Sequence, residues 1–207
     1  MEQLKEHHTV NEVFERLEVA AVGLARDPAT RPLAAEAESH VDAIEAKQKN
    51  LRRARATRVV STAWVTDADD KLDRDWMKLV RLVLALINGD REHTTFRKLY
   101  PKHPPHHAVR PRAGVEQARE VARVVHILRT DPDLAELASH ADTLDADQQA
   151  LDAQVAGRET LYQAEAVAQA DLTRAVEAAR VFYNGLERQL LGIFEDDKRK
   201  ARRALGL

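Results

Sequence analysis

A heptad seam runs through residues 37–86 and constrains the fold of this chain more than any other feature. Its spacing alternates between four and three residues and stays in phase for about seven heptads. The seam positions are Ala37, Val41, Ile44, Gln48, Leu51, Arg55, Arg58, Thr62, Val65, Asp69, Leu72, Trp76, Leu79, Val83 and Leu86. A seam of this length predicts a long helix that packs against other helices.

The same seam returns 100 residues later, over residues 137–186. Its second copy consists of Leu137, Ala141, Leu144, Gln148, Leu151, Val155, Arg158, Tyr162, Glu165, Gln169, Leu172, Val176, Ala179, Tyr183 and Leu186. The chain therefore reads as an internal duplication of a short helix–long helix unit. We assign residues 1–100 to the first helical repeat, 101–113 to a Pro/His-rich linker and 114–207 to the second helical repeat.

The composition favours an all-α fold. Hydrophobic residues make up 44% of the chain and aromatic residues 4%, while Gly and Pro number seven each. Ala, Leu, Glu and Arg are common, and these residues prefer helices to strands. We predict an elongated helical bundle in which the two long helices run antiparallel and each short helix covers one half of the pair. The alternative is two three-helix bundles in tandem.

The first unit has clear helix boundaries. A short amphipathic helix is predicted from Val10 to near Arg26, and a long helix of about 55 residues, or roughly 80 Å, from Leu33 to Asn88. Gly89 supplies the left-handed residue that ends the long helix. The tandem-bundle alternative places a break at residues 66–70, where Thr66 resembles a helix N-cap.

The second unit is predicted to repeat these signals. Its long helix begins near Asp133, after Asp131 as N-cap and Pro132 as the first helical residue. The helix is predicted to end at Tyr183, because Asn184-Gly185 repeats the stop of the first copy. A separate apolar helix is expected from Leu186 onward, and residues 1–8 are expected to be frayed.

Two carboxylate–histidine pairs are the candidate metal ligands. Glu36 and His40 are four residues apart and so share a helix face, and Glu136 and His140 repeat them. Carboxylates and imidazoles on facing helices can hold metal ions in helical bundles. The structural interpretation is that both pairs are surface pairs in the first turns of helices, where carboxylates suit the helix dipole.

Polar residues also occupy the seam. Gln48 and Gln148 recur, as do Arg58 and Arg158, and buried polar residues in helical seams fix the register. A basic stretch over residues 47–58 precedes an acidic stretch over residues 67–75. This segregation suits antiparallel self-pairing. The basic residues wrap more than one helix face and the net charge is −2, which argues against nucleic acid as the partner. Nucleic-acid binding through residues 47–58 and 198–203 is a third interpretation.

No motif points to an enzyme. The chain has no Cys, no glycine-rich phosphate loop and no nucleophile elbow, and its three Ser residues lie in or near helix starts. No apolar run reaches the length of a membrane span, and the cytoplasm is the expected compartment. We expect a non-catalytic structural or protein-interaction module without a cofactor, with a protein partner or self-association. The alternative is a helical bundle that binds a metal or small ligand.

Overall fold

The computed structural model describes residues 3–101, 114–195 and 197–205, and these residues form six α-helices and no strand. The predicted all-α class is confirmed. The predicted extended linker lies outside the described residues, apart from residue 101. The elements are α1 (Val10–Leu24), α2 (Arg31–Leu86), α3 (Thr94–Leu99), α4 (Val115–Thr130), a 3-10 turn (Pro132–Leu137), α5 (Ala138–Ile193) and α6 (Lys198–Ala204).

Helix α2 is a single helix of 56 residues. Within the stretch where a break was conceivable, Thr66 donates its hydroxyl to the Thr62 carbonyl at 3.2 Å, which is the bond of a residue inside a helix rather than of an N-cap. The helix ends as predicted. Asn88 and Gly89 have φ of 53° and 80°, and the Gly89 N–H donates to the Leu84 carbonyl at 2.7 Å.

Helix α5 corrects the prediction at both ends. It also has 56 residues, but it continues through Asn184-Gly185 to Ile193, so the predicted stop and the separate apolar helix are wrong. Leu186 and Leu190 are both fully buried and continue the apolar face. Their burial outweighs the roughly 1 kcal/mol that a glycine costs inside a helix.

The start of α5 differs as well. Asp131 caps the following turn as expected, since its side chain accepts the Asp133 N–H. The residues after it form a 3-10 turn, and α-helical hydrogen bonding begins only at Ala138. Proline at the first position fits either helix type, so the sequence signal located the cap but not the kind of turn.

Two compact units divide the chain. Unit 1 comprises residues 1–56 and 163–207, and unit 2 comprises residues 57–162. Each unit therefore combines part of both predicted repeats. The helix pairs α1–α2 and α4–α5 have lengths of 15 and 56 and of 16 and 56 residues, whereas the duplication itself stays a prediction from the sequence.

In unit 1, α1 covers the first part of α2 and the last part of α5. Contacts from Lys47 to Asp171 and from Arg55 to Glu165 show that α2 and α5 are antiparallel there. Apolar side chains of all three helices and of α6 form one core, whose fully buried members include Val13, Leu17, Leu24, Ile44, Ala179, Leu186 and Leu190.

The segment before α1 belongs to this core, so the prediction that residues 1–8 are frayed is wrong for its described part. Leu4 is buried. The Asn184 side chain accepts the Leu4 N–H at 2.8 Å and donates to the Leu4 carbonyl at 3.0 Å. Arg180 donates to the backbone carbonyls of Glu6 and His8. These bonds satisfy backbone groups of a non-helical segment that would otherwise need water.

In unit 2, α3, α4 and the 3-10 turn pack on the second part of α2 and the first part of α5. Its core centres on Trp76, whose ring meets that of Tyr100 edge-on at 5.8 Å between centroids. The remaining fully buried large side chains are Leu72, Leu79, Leu99, Leu128, Leu134, Leu144 and Leu151. Phe96, Leu99 and Tyr100 anchor α3 as predicted.

Candidate functional site

Glu36 and His40 line an open groove of about 610 Å³ in unit 1, between α2 and α5. The His40 ring lies against the Phe182 ring, with 4.9 Å between centroids and 36° between planes. The charged lining is mixed, because Glu177, Arg174 and Arg188 complete it. A groove with both signs of charge and an aromatic floor offers contact surface without a strong preference for one ionic ligand.

Glu136 and His140 belong to unit 2, and the structure does not give them the geometry of the first pair. Glu136 lies in the 3-10 turn and His140 in the first turn of α5. The four-residue spacing therefore spans a change of helix type. Nearby Asp142 is engaged by Arg129 at 2.8 Å.

Each predicted metal pair supplies two donors, and the residues that the structure describes add no third one to either pair. In the parts of the chain that the structure describes, no group of three or more His, Cys, Asp and Glu side chains could hold a metal ion. Metal sites in proteins need about four ligands, so the four predicted residues form no assembled site in these ranges.

The seam positions singled out in the sequence differ in their surroundings. Gln148 is buried and donates to Asp152 at 2.9 Å, whereas Gln48 is half-buried. The Arg58 guanidinium lies 5.0 Å from the centre of the Tyr162 ring, a cation–π contact. The Arg58–Tyr162 contact joins α2 to α5, which is compatible with the predicted register role of Arg58, whereas the Gln148 hydrogen bond stays within α5.

A second polar cluster joins α2 and α5 inside unit 2. Lys71 donates to the buried Asp147 at 2.6 Å. Burial and a hydrogen bond with Asp147 raise the pKa of the neighbouring Asp75. Burial, together with Asp69 and Asp70, raises the pKa of Asp73 to about 6. Burial and neighbouring carboxylates therefore make the ionised forms of Asp73 and Asp75 less favourable in the folded state. The charge of Lys71 offsets part of this effect at Asp75.

The most exposed large apolar group on α2 is one that the sequence analysis did not single out. Val59, Val60 and Trp64 are 59%, 47% and 52% exposed. Together with the exposed Ala63 they form what we call the α2 patch: Val59, Val60, Ala63 and Trp64. The sequence does contain a signal for this patch: Trp64 lies off the seam and follows Val60 by four residues, which puts both side chains on one helix face.

Exposed charges of opposite sign flank the α2 patch along the helix. Lys49, Arg52 and Arg53 precede it, and Asp67 and Asp70 follow it. At 100° per residue, Val60 and Asp67 lie within about 20° of each other on a helical wheel, so Asp67 is on the same side of α2 as the patch.

Comparisons with known proteins add no relative: no protein-family model, curated protein or solved structure matches this chain. None of the helices in the described ranges combines the length and apolar content that crossing a membrane requires. The functional proposal therefore depends on the geometry of the described residues.

Proposed function

We propose that this chain is a non-catalytic protein-interaction module that docks a partner protein on the α2 patch. The observation that carries the proposal is the exposure of Trp64, which leaves 52% of its surface in solvent while the other tryptophan, Trp76, is fully buried. Tryptophan is enriched at the centres of protein interfaces and costs little side-chain entropy when it is covered.

The free energy available from the patch is substantial. Covering the exposed half of a Trp and a neighbouring Val removes on the order of 150 Å² of apolar surface from water, worth roughly 4 kcal/mol. The Trp64 indole N–H is a donor that a partner can satisfy at the edge of such a contact. Flanking charges then set orientation and the rate of encounter rather than the bulk of the affinity.

The ion pairs between α2 and α5 support a non-catalytic role. Lys47 pairs with Asp171, Arg55 with Glu165, and Lys71 with Asp147, and each of these pairs joins α2 to α5. Ionisable groups that hold two helices together are engaged in packing. The interaction surface lies on the solvent-facing side of α2, where the α2 patch is.

The alternative function, binding of a metal or small ligand through Glu36, His40, Glu136 and His140, stays a hypothesis. Metal analysis of untagged protein tests it directly. Stoichiometric metal in the wild type, lost on His40→Ala and His140→Ala, would establish it over the interaction module.

Site-specific photo-crosslinking tests the proposed function. A benzophenone amino acid replaces Trp64, and in a matched control it replaces Glu18, an exposed residue of α1. Irradiation in the native cells is followed by mass spectrometry of the adducts. We expect a discrete protein adduct at position 64 and none at position 18. Equal, diffuse labelling at both positions, or none at either, would overturn the proposal.

A further inference from the structure

A cleft of about 510 Å³ lies in unit 1, between the end of α1 and helix α6. Three cationic side chains and one carboxylate contribute to its lining, which consists of Gly23, Arg26, Asp27, Phe194, Lys200, Arg203 and Ala204. We propose that this cleft binds a phosphate monoester, with the phosphate group held by Arg26 and Arg203. The inference is independent of the proposed function, because the α2 patch belongs to unit 2.

Packing of α6 against α1 forms this cleft. Ala201, Ala204 and Leu205 are buried and belong to the core of unit 1, so one face of α6 is held in place. Asp197 caps the helix, since its side chain accepts the Lys200 N–H at 3.1 Å. The cations that α6 contributes are therefore carried by a packed and capped helix.

The guanidinium groups of Arg26 and Arg203 are not used by the fold. Both residues are exposed, and neither guanidinium forms an ion pair or hydrogen bond with another described residue. The carbonyls at the end of α1 have other donors: that of Leu24 accepts the Thr30 hydroxyl at 2.6 Å, and that of Gly23 accepts the Arg26 N–H at 3.3 Å. Both guanidiniums can therefore donate to a ligand, and their planar donor arrays fit phosphate oxygens bidentately.

The other lining residues determine the net charge and the apolar side of the cleft. The Lys200 Nζ lies 5.1 Å from the centre of the half-buried Phe194 ring, which is a cation–π distance. The Asp27 carboxylate serves the turn after α1, where its Oδ1 accepts the Ala29 N–H at 2.9 Å. Three positive charges and one negative charge leave the cleft with a net charge of +2.

This net charge selects among anions. A phosphate monoester carries about −1.5 to −2 at pH 7 and so compensates the cleft, whereas a carboxylate or one phosphodiester of a nucleic acid carries a single charge. The cleft volume lies within the range of about 300–1,000 Å³ that small-molecule sites occupy. Phe194 adds apolar surface for the organic part of the ligand. The charge and the lining together favour an organic phosphate monoester over a nucleic-acid backbone.

Isothermal titration calorimetry with phenyl phosphate, in a buffer without phosphate, tests the site. Phenyl sulfate has the same ring and a single negative charge, so it is the control ligand. We expect phenyl phosphate to bind about tenfold or more tightly than phenyl sulfate. Arg26→Gln and Arg203→Gln are each expected to weaken the binding of phenyl phosphate by about tenfold or more, because each removes charge-assisted hydrogen bonds.

Two further variants separate the cleft from the general charge of α6. Arg202→Gln removes a cation from the same turn as Arg203 but outside the lining of the cleft, and it is expected to change the Kd by less than about twofold. Arg203→Lys keeps the charge but loses the bidentate donor geometry, so a smaller loss than in Arg203→Gln is expected. Because these side chains are exposed, circular dichroism of the variants is expected to match the wild type.

A short phosphoserine peptide distinguishes the two sources of a phosphate monoester. Tighter binding of the peptide than of phenyl phosphate would assign the group to a phosphorylated protein, and weaker binding would assign it to a small molecule. In both cases the loss of affinity in Arg203→Gln is expected for the tighter ligand.

Three outcomes would overturn the inference. The first is the absence of measurable binding of phenyl phosphate at millimolar concentration, and the second is equal affinity for phenyl phosphate and phenyl sulfate. The third is equal weakening by Arg202→Gln and Arg203→Gln, since that would show a diffuse basic surface. Strongly salt-dependent binding of a single-stranded oligonucleotide to that surface would then support nucleic acid as its partner.

Discussion

The Nζ of Lys71 lies 2.6 Å from Oδ1 of Asp147, in an ion pair that joins α2 to α5 within unit 2. The aspartate side chain is 2% exposed and the lysine side chain 59%, so the cation reaches from solvent to a buried carboxylate. Asp75 lies beside this pair. Burial and its hydrogen bond with Asp147 raise the pKa of Asp75, and the charge of Lys71 lowers it.

Removing this cation is expected to destabilise the fold in a pH-dependent way. In Lys71→Met the folded-state pKa of Asp75 rises further above 3.8, its ordinary value. A carboxyl whose pKa is raised by folding lowers stability progressively as the pH rises from its unfolded pKa through its folded pKa. The loss in urea midpoint is therefore expected to be larger at about pH 7.5 than at about pH 4. Lys198→Met, in the exposed part of α6, is the control, and an equal loss at both pH values would contradict the argument.

Asp73 is a second pH-sensitive position. One of its carboxylate oxygens is buried without a hydrogen-bond partner among the described residues, and burial raises its pKa to about 6. Since the folded state holds this proton more tightly than the unfolded state does, ionisation of Asp73 lowers stability as the pH rises from its ordinary value of 3.8 through about 6.

The substitution Asp73→Asn removes that ionisation. Allowing for the partial exposure of Asp73, we expect the variant to gain about 1 kcal/mol over the wild type between acidic and neutral pH. Urea unfolding at several pH values measures the difference. Asp67→Asn, an exposed carboxyl of the same stretch, is expected to show no comparable trend, and a flat profile for Asp73→Asn would contradict the prediction.

Replacing glycine by alanine is expected to have opposite effects on stability in Asn88-Gly89 and in Asn184-Gly185. Gly89 has φ of 80°, where a side chain is strained, so Gly89→Ala is expected to cost about 1 kcal/mol of unfolding free energy. Gly185 lies inside α5, and a methyl group there would meet no atom within 4 Å. Gly185→Ala is expected to gain about 0.5–1 kcal/mol. Thermal unfolding compares the pair, and effects of the same sign would refute the difference in backbone geometry.

Asn184 is expected to hold the segment before α1 in place. Asn184→Ala removes both part-buried hydrogen bonds to Leu4, a loss of about 1 kcal/mol per bond. We expect faster amide exchange over residues 4–9 in hydrogen-exchange mass spectrometry, with little change in unit 2. Asn50→Ala, at an exposed position of α2, serves as the control. Unchanged exchange in the Leu4 segment would show that its packing alone is sufficient.

The sequence by itself determined the all-α class, the single long helix α2 and its end at Asn88-Gly89. These features depend on short-range physics: a heptad period, the absence of Gly and Pro from residues 33–88, and a left-handed residue at the helix end. The same information predicted the anchors of α3 and the cap at Asp131. Local preferences decide where no long-range contact opposes them.

Only the tertiary structure decided that α5 continues through Asn184-Gly185, that Leu4 belongs to the core and that Trp64 stays in solvent. In the first two cases burial of Leu186, Leu190 and Leu4 supplies more free energy than a local turn preference or a frayed terminus can oppose. In the third, a tryptophan next to a seam residue is exposed because none of the helices in the described ranges covers that face of α2. The sequence pattern reports the local conformational preference of each residue, whereas its burial depends on which residues distant in sequence pack against it.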